Sequence, residues 1–214
     1  MLSMIKKEVA TKFTQNLLAS FKTSKGNTQQ IERLYITELR NVLDDLECTY
    51  EEAGSQQSID FRNIRMKKFD EKINIEAKKT DTGRICFNDT FPINQDVNYV
   101  FFFTGTKKYE PQVVWYNASL LKNSEHERLT EYKSAINKFK SDLISDLDSV
   151  FTFYPRPNIQ MDIKSYLKCK PKTLKDLTAN ELRNICGKNS LKTGGSKNAL
   201  YKRIISNNIE VCIT

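Results

Sequence analysis

The sequence predicts an α/β core with a central mixed β-sheet flanked by helices, followed by a small C-terminal helical module. Three observations predict this. Apolar residues recur at helical spacing up to residue 46, then with a period near 2 from residue 59, and at helical spacing again after residue 124. The run VNYVFFFT at residues 97–104 is continuously apolar and aromatic, the pattern of a strand covered on both faces. Positive charge gathers at one end: residues 170–207 hold nine basic and two acidic side chains, nearly the whole net charge of +8.

Residues 3–22 read as a first helix, with Val9, Phe13, Leu17, Leu18 and Phe21 on one face, broken by Gly26 and Asn27. A second helix over residues 28–46 carries the stripe Ile31, Leu34, Tyr35, Leu39, Val42 and Leu46. A polar loop at residues 54–58 leads to two strands, 59–65 and 73–78, joined by a charged turn around residues 67–71. Gly83 ends this region, and residues 97–104 and 112–116 supply further strands, with Trp115 and Tyr116 as core aromatics. A long helix is expected over residues 124–150, its inner face marked by Leu129, Tyr132, Ile136, Phe139, Leu143, Leu147 and Val150. Residues 159–163 read as one more edge strand. The expected domains are a core at 1–163, a basic linker at 164–172 and the module at 173–207.

Composition narrows the function. Hydrophobic residues make up 39% of the 214-residue chain, with 12 Phe and 9 Tyr, which excludes a wholly disordered protein. Five dispersed cysteines (Cys48, Cys86, Cys169, Cys186, Cys212) form no C-x-x-C pair, as expected of reduced thiols in an intracellular protein. His126 is the only histidine, which removes most histidine-based metal clusters and weakens a Ser-His-Asp reading. Without an apolar stretch of about 18 residues or a signal-peptide pattern, no membrane partner is expected. A concentrated basic patch suits a polyphosphate partner, because neutralised phosphates release their condensed counterions.

Chemistry concentrates in the hairpin. Side chains two apart on a strand share a face. Ile73, Ile75 and Ala77 therefore enter the core while Asn74, Glu76 and Lys78 project from the other side. A register that sets Asp60 opposite Glu76 centres the turn on residue 68, where the apolar pattern lapses. It brings the two carboxylates to about 5 Å between β-carbons. Neighbouring carboxylates repel unless a cation lies between them, and a hard divalent ion such as Mg²⁺ is the usual solution. The same strand face is also compatible with a solvated polar surface.

Asp60 followed by Glu76-Ala77-Lys78 resembles the PD-(D/E)xK signature of restriction-type nucleases. The resemblance implies a restriction-endonuclease-like core of order α-β-β-β-α-β. It also implies Mg²⁺, with Mn²⁺ substituting, held by Asp60, Glu76 and the Ala77 carbonyl. Lys78 would assist the nucleophilic water, and the product would carry a 5′-phosphate. The family pattern adds a carboxylate from the preceding helix. Glu38, inside the apolar stripe, fits that role; Glu32 falls on the polar side. Ile59 stands where the family often has proline. Downstream, Asn88 either offers its amide to DNA bases, with Asp89 near the metal, or belongs to an Asx turn closed by Pro92.

In the C-terminal module, Thr178 and Glu181 form a capping-box pattern ahead of a helix burying Leu182, Ile185 and Cys186. Leu191 returns to the core, Gly194 and Gly195 turn, and Ser196 caps a second helix with Leu200, Ile204 and Ile205. Leu177, Glu181, Leu182, Cys186, Asn189, Leu191, the Gly195-Ser196-Lys197 turn, Leu200, Arg203 and Ile204 together resemble the SAP motif, a two-helix module that binds double-stranded DNA. Gly195 and Ser196 would bring backbone amides to a phosphate, and Arg183, Lys192, Lys197, Lys202 and Arg203 would add charge. The expected function is a Mg²⁺-dependent endodeoxyribonuclease on double-stranded DNA, similar to a type II restriction enzyme and possible as a homodimer. The alternatives are a repair or recombination nuclease on structured DNA, and a non-catalytic SAP-type DNA-binding protein.

Overall fold

Helical periodicity becomes helix, with one interruption, in the computed structural model, which describes residues 1–23, 28–54, 59–87, 91–146, 159–170, 173–207 and 209. Helix α1 (Leu2–Lys12) buries Ile5 and Val9. Thr14 then adopts an extended backbone, and its side chain accepts the Leu17 N–H to start α2 (Gln15–Ser20). The single helix expected over residues 3–22 is thus two, because a threonine that caps a helix cannot also continue one. Helix α3 (Thr28–Asp45) buries Tyr35, Leu39, Val42 and Leu43. Leu34, expected in that stripe, is 53% exposed, since it lies about 100° around the helix from Tyr35.

A five-stranded sheet runs in the order β1 (Thr49–Glu52), β2 (Phe61–Arg65), β3 (Ile73–Thr80), β5 (Val97–Phe103), β6 (Gln112–Asn117). Neighbours are antiparallel except β3 and β5, so the sheet is mixed as expected. Strand β1 was not foreseen; its four residues carry one apolar side chain and show no period. Strand β4 (Arg84–Cys86) was also missed, and it pairs with β7 (Gln160–Asp162) in a separate two-stranded sheet. Residues 159–163 therefore do not form an edge of the main sheet.

Two apolar layers clothe the main sheet. Phe61, Ile64, Ile73, Ile75, Ala77, Val100 and Phe102 pack against α1, α2 and α3 on one face. The opposite layer holds Val97, Tyr99, Phe101, Phe103, Val114 and Tyr116 with Ile85, Phe87, Ile163 and Leu167. Strand β5 is thus covered on both faces. Among the described residues the second layer takes no buried side chain from β1 or β2.

Helix α4 (Asn123–Asp146) departs from expectation. Leu129 and Ile136 are half-buried, but Tyr132 is 48% and Phe139 53% exposed. Periodicity reports that an apolar face exists, not that something covers it. The side chain of Leu143 and residues Leu147 and Val150 lie outside the described set, as do Gly26, Asn27, Asn88, Asp89 and most of the 54–58 loop. No helix among the described residues is long and apolar enough to cross a membrane.

The chain divides into two units after Lys168. The first reaches five residues beyond the boundary expected at 163, because a 3₁₀ turn at Lys164–Tyr166 carries Leu167 into the second apolar layer. The second unit pairs α5 (Ala179–Lys188) with α6 (Lys197–Ser206) over Leu177, Leu182, Cys186, Leu200 and Ile204. Ile205, expected in this core, is 50% exposed; it follows Ile204 directly and so faces away.

Candidate functional site

The hairpin register decides whether the site exists. Phe61 pairs with Ile75, which sets Asp60, one residue before β2, opposite Glu76 as the sequence predicted. The Ala77 N–H donates to Asp60 Oδ2 at 2.7 Å. A strand residue sends its N–H and C=O to the same side, so the Ala77 carbonyl also leaves on the Asp60 edge. Glu76 pairs with Tyr99 of β5 and Lys78 with Phe101, placing both on the face whose apolar layer stops at β3. Lys78 Nζ donates to Glu76 Oε1 at 2.7 Å. Asp60, Glu76 and Lys78 therefore converge.

The electrostatics are unusual for a strand. Glu76 is only 6% exposed, and its Oε2 is buried with no hydrogen-bond donor. Burial pushes its carboxyl up to about 7 against the pull of Lys78, and the Asp60 charge adds to the rise. Asp60 is also raised, first by burial, with the Ala77 N–H and Lys78 opposing and the charges of Glu32 and Glu52 contributing. A carboxylate oxygen buried without a donor costs about 1–3 kcal/mol or more unless a proton or cation meets it. Asp60, Glu76 and the Ala77 carbonyl are the groups able to hold such a cation. Among the described residues, no cluster of three or more His, Cys, Asp or Glu has metal-binding geometry.

The sequence favours Glu38 over Glu32 as the helix carboxylate, and the structure places the two differently. Glu38 faces α1, where Lys12 Nζ lies 3.6 Å from it. Glu32 instead acts on the site, its charge raising both Asp60 and Tyr35. It sits one turn before the buried Tyr35, a position legible from an i, i+3 reading anchored on Tyr35 rather than on the whole stripe. The next lysine belongs to the opposite face: Lys79 Nζ donates to Asp81, Thr23 Oγ1 and the Phe21 carbonyl, while Thr104 Oγ1 donates to Asp81 at 2.7 Å. This network ties the end of β3 to β5 and to the segment after α2.

In the second unit, Thr178 Oγ1 accepts the Glu181 N–H while Glu181 Oε2 accepts the Thr178 N–H at 2.6 Å, completing the capping box. Ser196 Oγ accepts the Ala199 N–H at the start of α6. Gly195 has φ +116°, and a Cβ there would lie 3.3 Å from the Ala199 Cβ, so glycine is required. Arg183, Lys192, Lys197 and Lys202 are exposed, as are Gly195 and Ser196. Lys175 and Lys197 line one cleft with Asn198 and Tyr201, a convergence missed because Lys175 lies outside the helices.

Arg203 is placed differently from its neighbours. It is half-buried, and its guanidinium donates to the carbonyls of Lys192 and Gly194, the latter at 3.1 Å. It holds the loop between α5 and α6. Arg203→Lys keeps the charge but loses the fork, and should lower the stability of this unit by about 1 kcal/mol in a thermal melt. An unchanged melt with weakened DNA binding would instead make Arg203 a direct phosphate contact.

No curated protein and no solved structure matches the chain. The SAP domain family model matches residues 173–207, so the second unit carries a SAP domain, a DNA-binding module.

Proposed function

We propose that the chain is a Mg²⁺-dependent endodeoxyribonuclease on double-stranded DNA, with its site at Asp60, Glu76 and Lys78 and its SAP domain supplying duplex affinity. The supporting observation is the buried, donorless Glu76 Oε2 beside Asp60, on a face to which β2 and β3 contribute no buried apolar side chain. A pure binding protein gains nothing from two carboxylates pushed toward protonation and a lysine held between β-strands. The acidic-x-Lys spacing and the mixed sheet accord with the PD-(D/E)xK type.

A bound Mg²⁺ or Mn²⁺ would neutralise charge developing on the phosphodiester and acidify a water. The chain's own groups do the rest. Asp60 is oriented by the Ala77 N–H, which fixes one of its oxygens. Lys78, an ammonium held by Glu76 Oε1, has two further protons with which to orient an attacking water and a phosphate oxygen. Tyr99, raised by burial and by the Glu76 charge, stays neutral beside the carboxylate. In-line attack on phosphorus would leave a 5′-phosphate.

Purified protein should cut a mapped duplex in Mg²⁺ and not in EDTA, and Asp60→Ala or Lys78→Ala should cut at least about a hundredfold more slowly. Discrete plasmid fragments would mark a restriction-type enzyme, whereas preference for junctions or flaps would mark a repair nuclease. Among the described residues, no group of three or more His, Cys, Asp or Glu could hold a metal ion, which favours a second reading, a SAP-type DNA-binding protein without hydrolysis. It predicts duplex binding that survives chelation and no cleavage under any condition.

A further inference from the structure

Arg62 lies on β2 two residues beyond Asp60, on the face opposite the buried Phe61. It is half-buried, and its Nε is buried with no hydrogen-bond partner. No described residue forms an ion pair with it. A guanidinium does not shed its charge by deprotonation, so this site carries a permanent cation that no ion pair among the described residues engages.

The shortage of acceptors has a structural origin. Between Phe61 and Ile64 the β2/β3 register slips, and Asn63 takes φ +51°. The slipped residue then draws in the groups nearest Arg62. Glu51, opposite Arg62 in the β1/β2 register, gives Oε1 to the Asn63 side-chain amide at 2.9 Å. Asn74 gives Oδ1 to the Asn63 N–H at 2.9 Å and turns its own amide to the Asp96 carbonyl. Glu51 Oε1 and Asn74 Oδ1 are thus engaged by the bulge, and neither bonds the guanidinium.

We infer that Arg62 binds a DNA backbone phosphate next to the one presented to Asp60 and Glu76. This rests on the nuclease reading for the position of the scissile phosphate, but not for the contact itself. Two residues along a strand span about 7 Å, so Arg62 reaches past the carboxylate pair rather than into it. A planar fork suits a phosphate's paired oxygens, and a cation beside two carboxylates lets a polyanion approach a site that would otherwise repel it.

The test uses the full-length chain with Ca²⁺ replacing Mg²⁺, and measures duplex affinity by fluorescence anisotropy across a salt series. Arg62→Ala should reduce the slope of log affinity against log salt by about 0.9, the value for one phosphate contact, and Arg62→Lys should restore most of it. If Arg62→Ala fails to fold, Arg62→Gln takes its place with the same expected loss. A wild-type slope in the folded variant overturns the inference. Wild-type cleavage in Mg²⁺ together with that unchanged slope would remove Arg62 alone and leave the nuclease reading standing. A reduced slope in a protein that never cleaves would keep the Arg62 contact and remove the nuclease.

Discussion

Glu76→Gln should abolish metal-dependent DNA cleavage, by about a thousandfold or more, while stabilising the metal-free protein above neutral pH. Both effects come from one buried oxygen. Glu76 carries its carboxyl at about 7 instead of an ordinary 4.5, first because burial penalises the charge. A carboxyl raised in the folded state makes folding take up a proton between those values. Stability is therefore fully present below about pH 4.5 and declines as pH rises through about 7. Glutamine has the same shape and cannot ionise, so the variant lacks that decline. At pH 8 without metal it should exceed wild type by on the order of 2 kcal/mol, less whatever is lost when Lys78 gives up its partner. Melting curves in EDTA at pH 5 and pH 8, set beside cleavage in Mg²⁺, measure both effects. A variant less stable than wild type at pH 8 would mean that the Lys78 pair, not the uncompensated oxygen, dominates the site.

Leu200→Ala should cost the protein at least tenfold in duplex affinity without touching a DNA-facing residue. Leu200 is fully buried in a core of five buried side chains, with Leu177, Leu182, Cys186 and Ile204. Truncating a buried leucine costs about 2–5 kcal/mol, and a unit of this size has little more than that to lose. Apparent affinity then falls by the fraction of molecules whose module is folded. Anisotropy with a labelled duplex, together with amide dispersion by NMR, separates unfolding from lost contacts. Unchanged affinity would show that the SAP domain is not the main source of duplex binding.

The candidate site was legible where one physical rule determined the outcome. Period-2 alternation put Glu76 and Lys78 on one face, and the lapse in apolar pattern at residue 68 located the turn; the Phe61–Ile75 pair confirms that register. Capping chemistry was equally direct at Thr178 and Ser196. Failures arose where two roles fit one pattern. Thr14 lay within an unbroken apolar spacing yet capped the start of a second helix. Glu38 sat within the stripe but met Lys12, whereas Glu32, read as polar surface and exposed, contributes its charge to the rise of the Asp60 carboxyl. Arg203 resembled any other basic residue until its carbonyl partners were visible, and Arg62 showed no signal because its character depends on a bulge at Asn63. Strands β1 and β4, at four and three residues, are too short for alternation to register.

Calorimetric titration of Mn²⁺ into the full-length protein tests the centre most directly. One saturable site should appear in wild type, releasing a proton at pH 6 where Glu76 is still largely protonated, and disappear in Asp60→Ala and Glu76→Gln. No saturable binding in wild type, or binding that survives both substitutions, would contradict a metal centre at this hairpin and leave the DNA binding that the SAP domain suggests as the chain's chemistry.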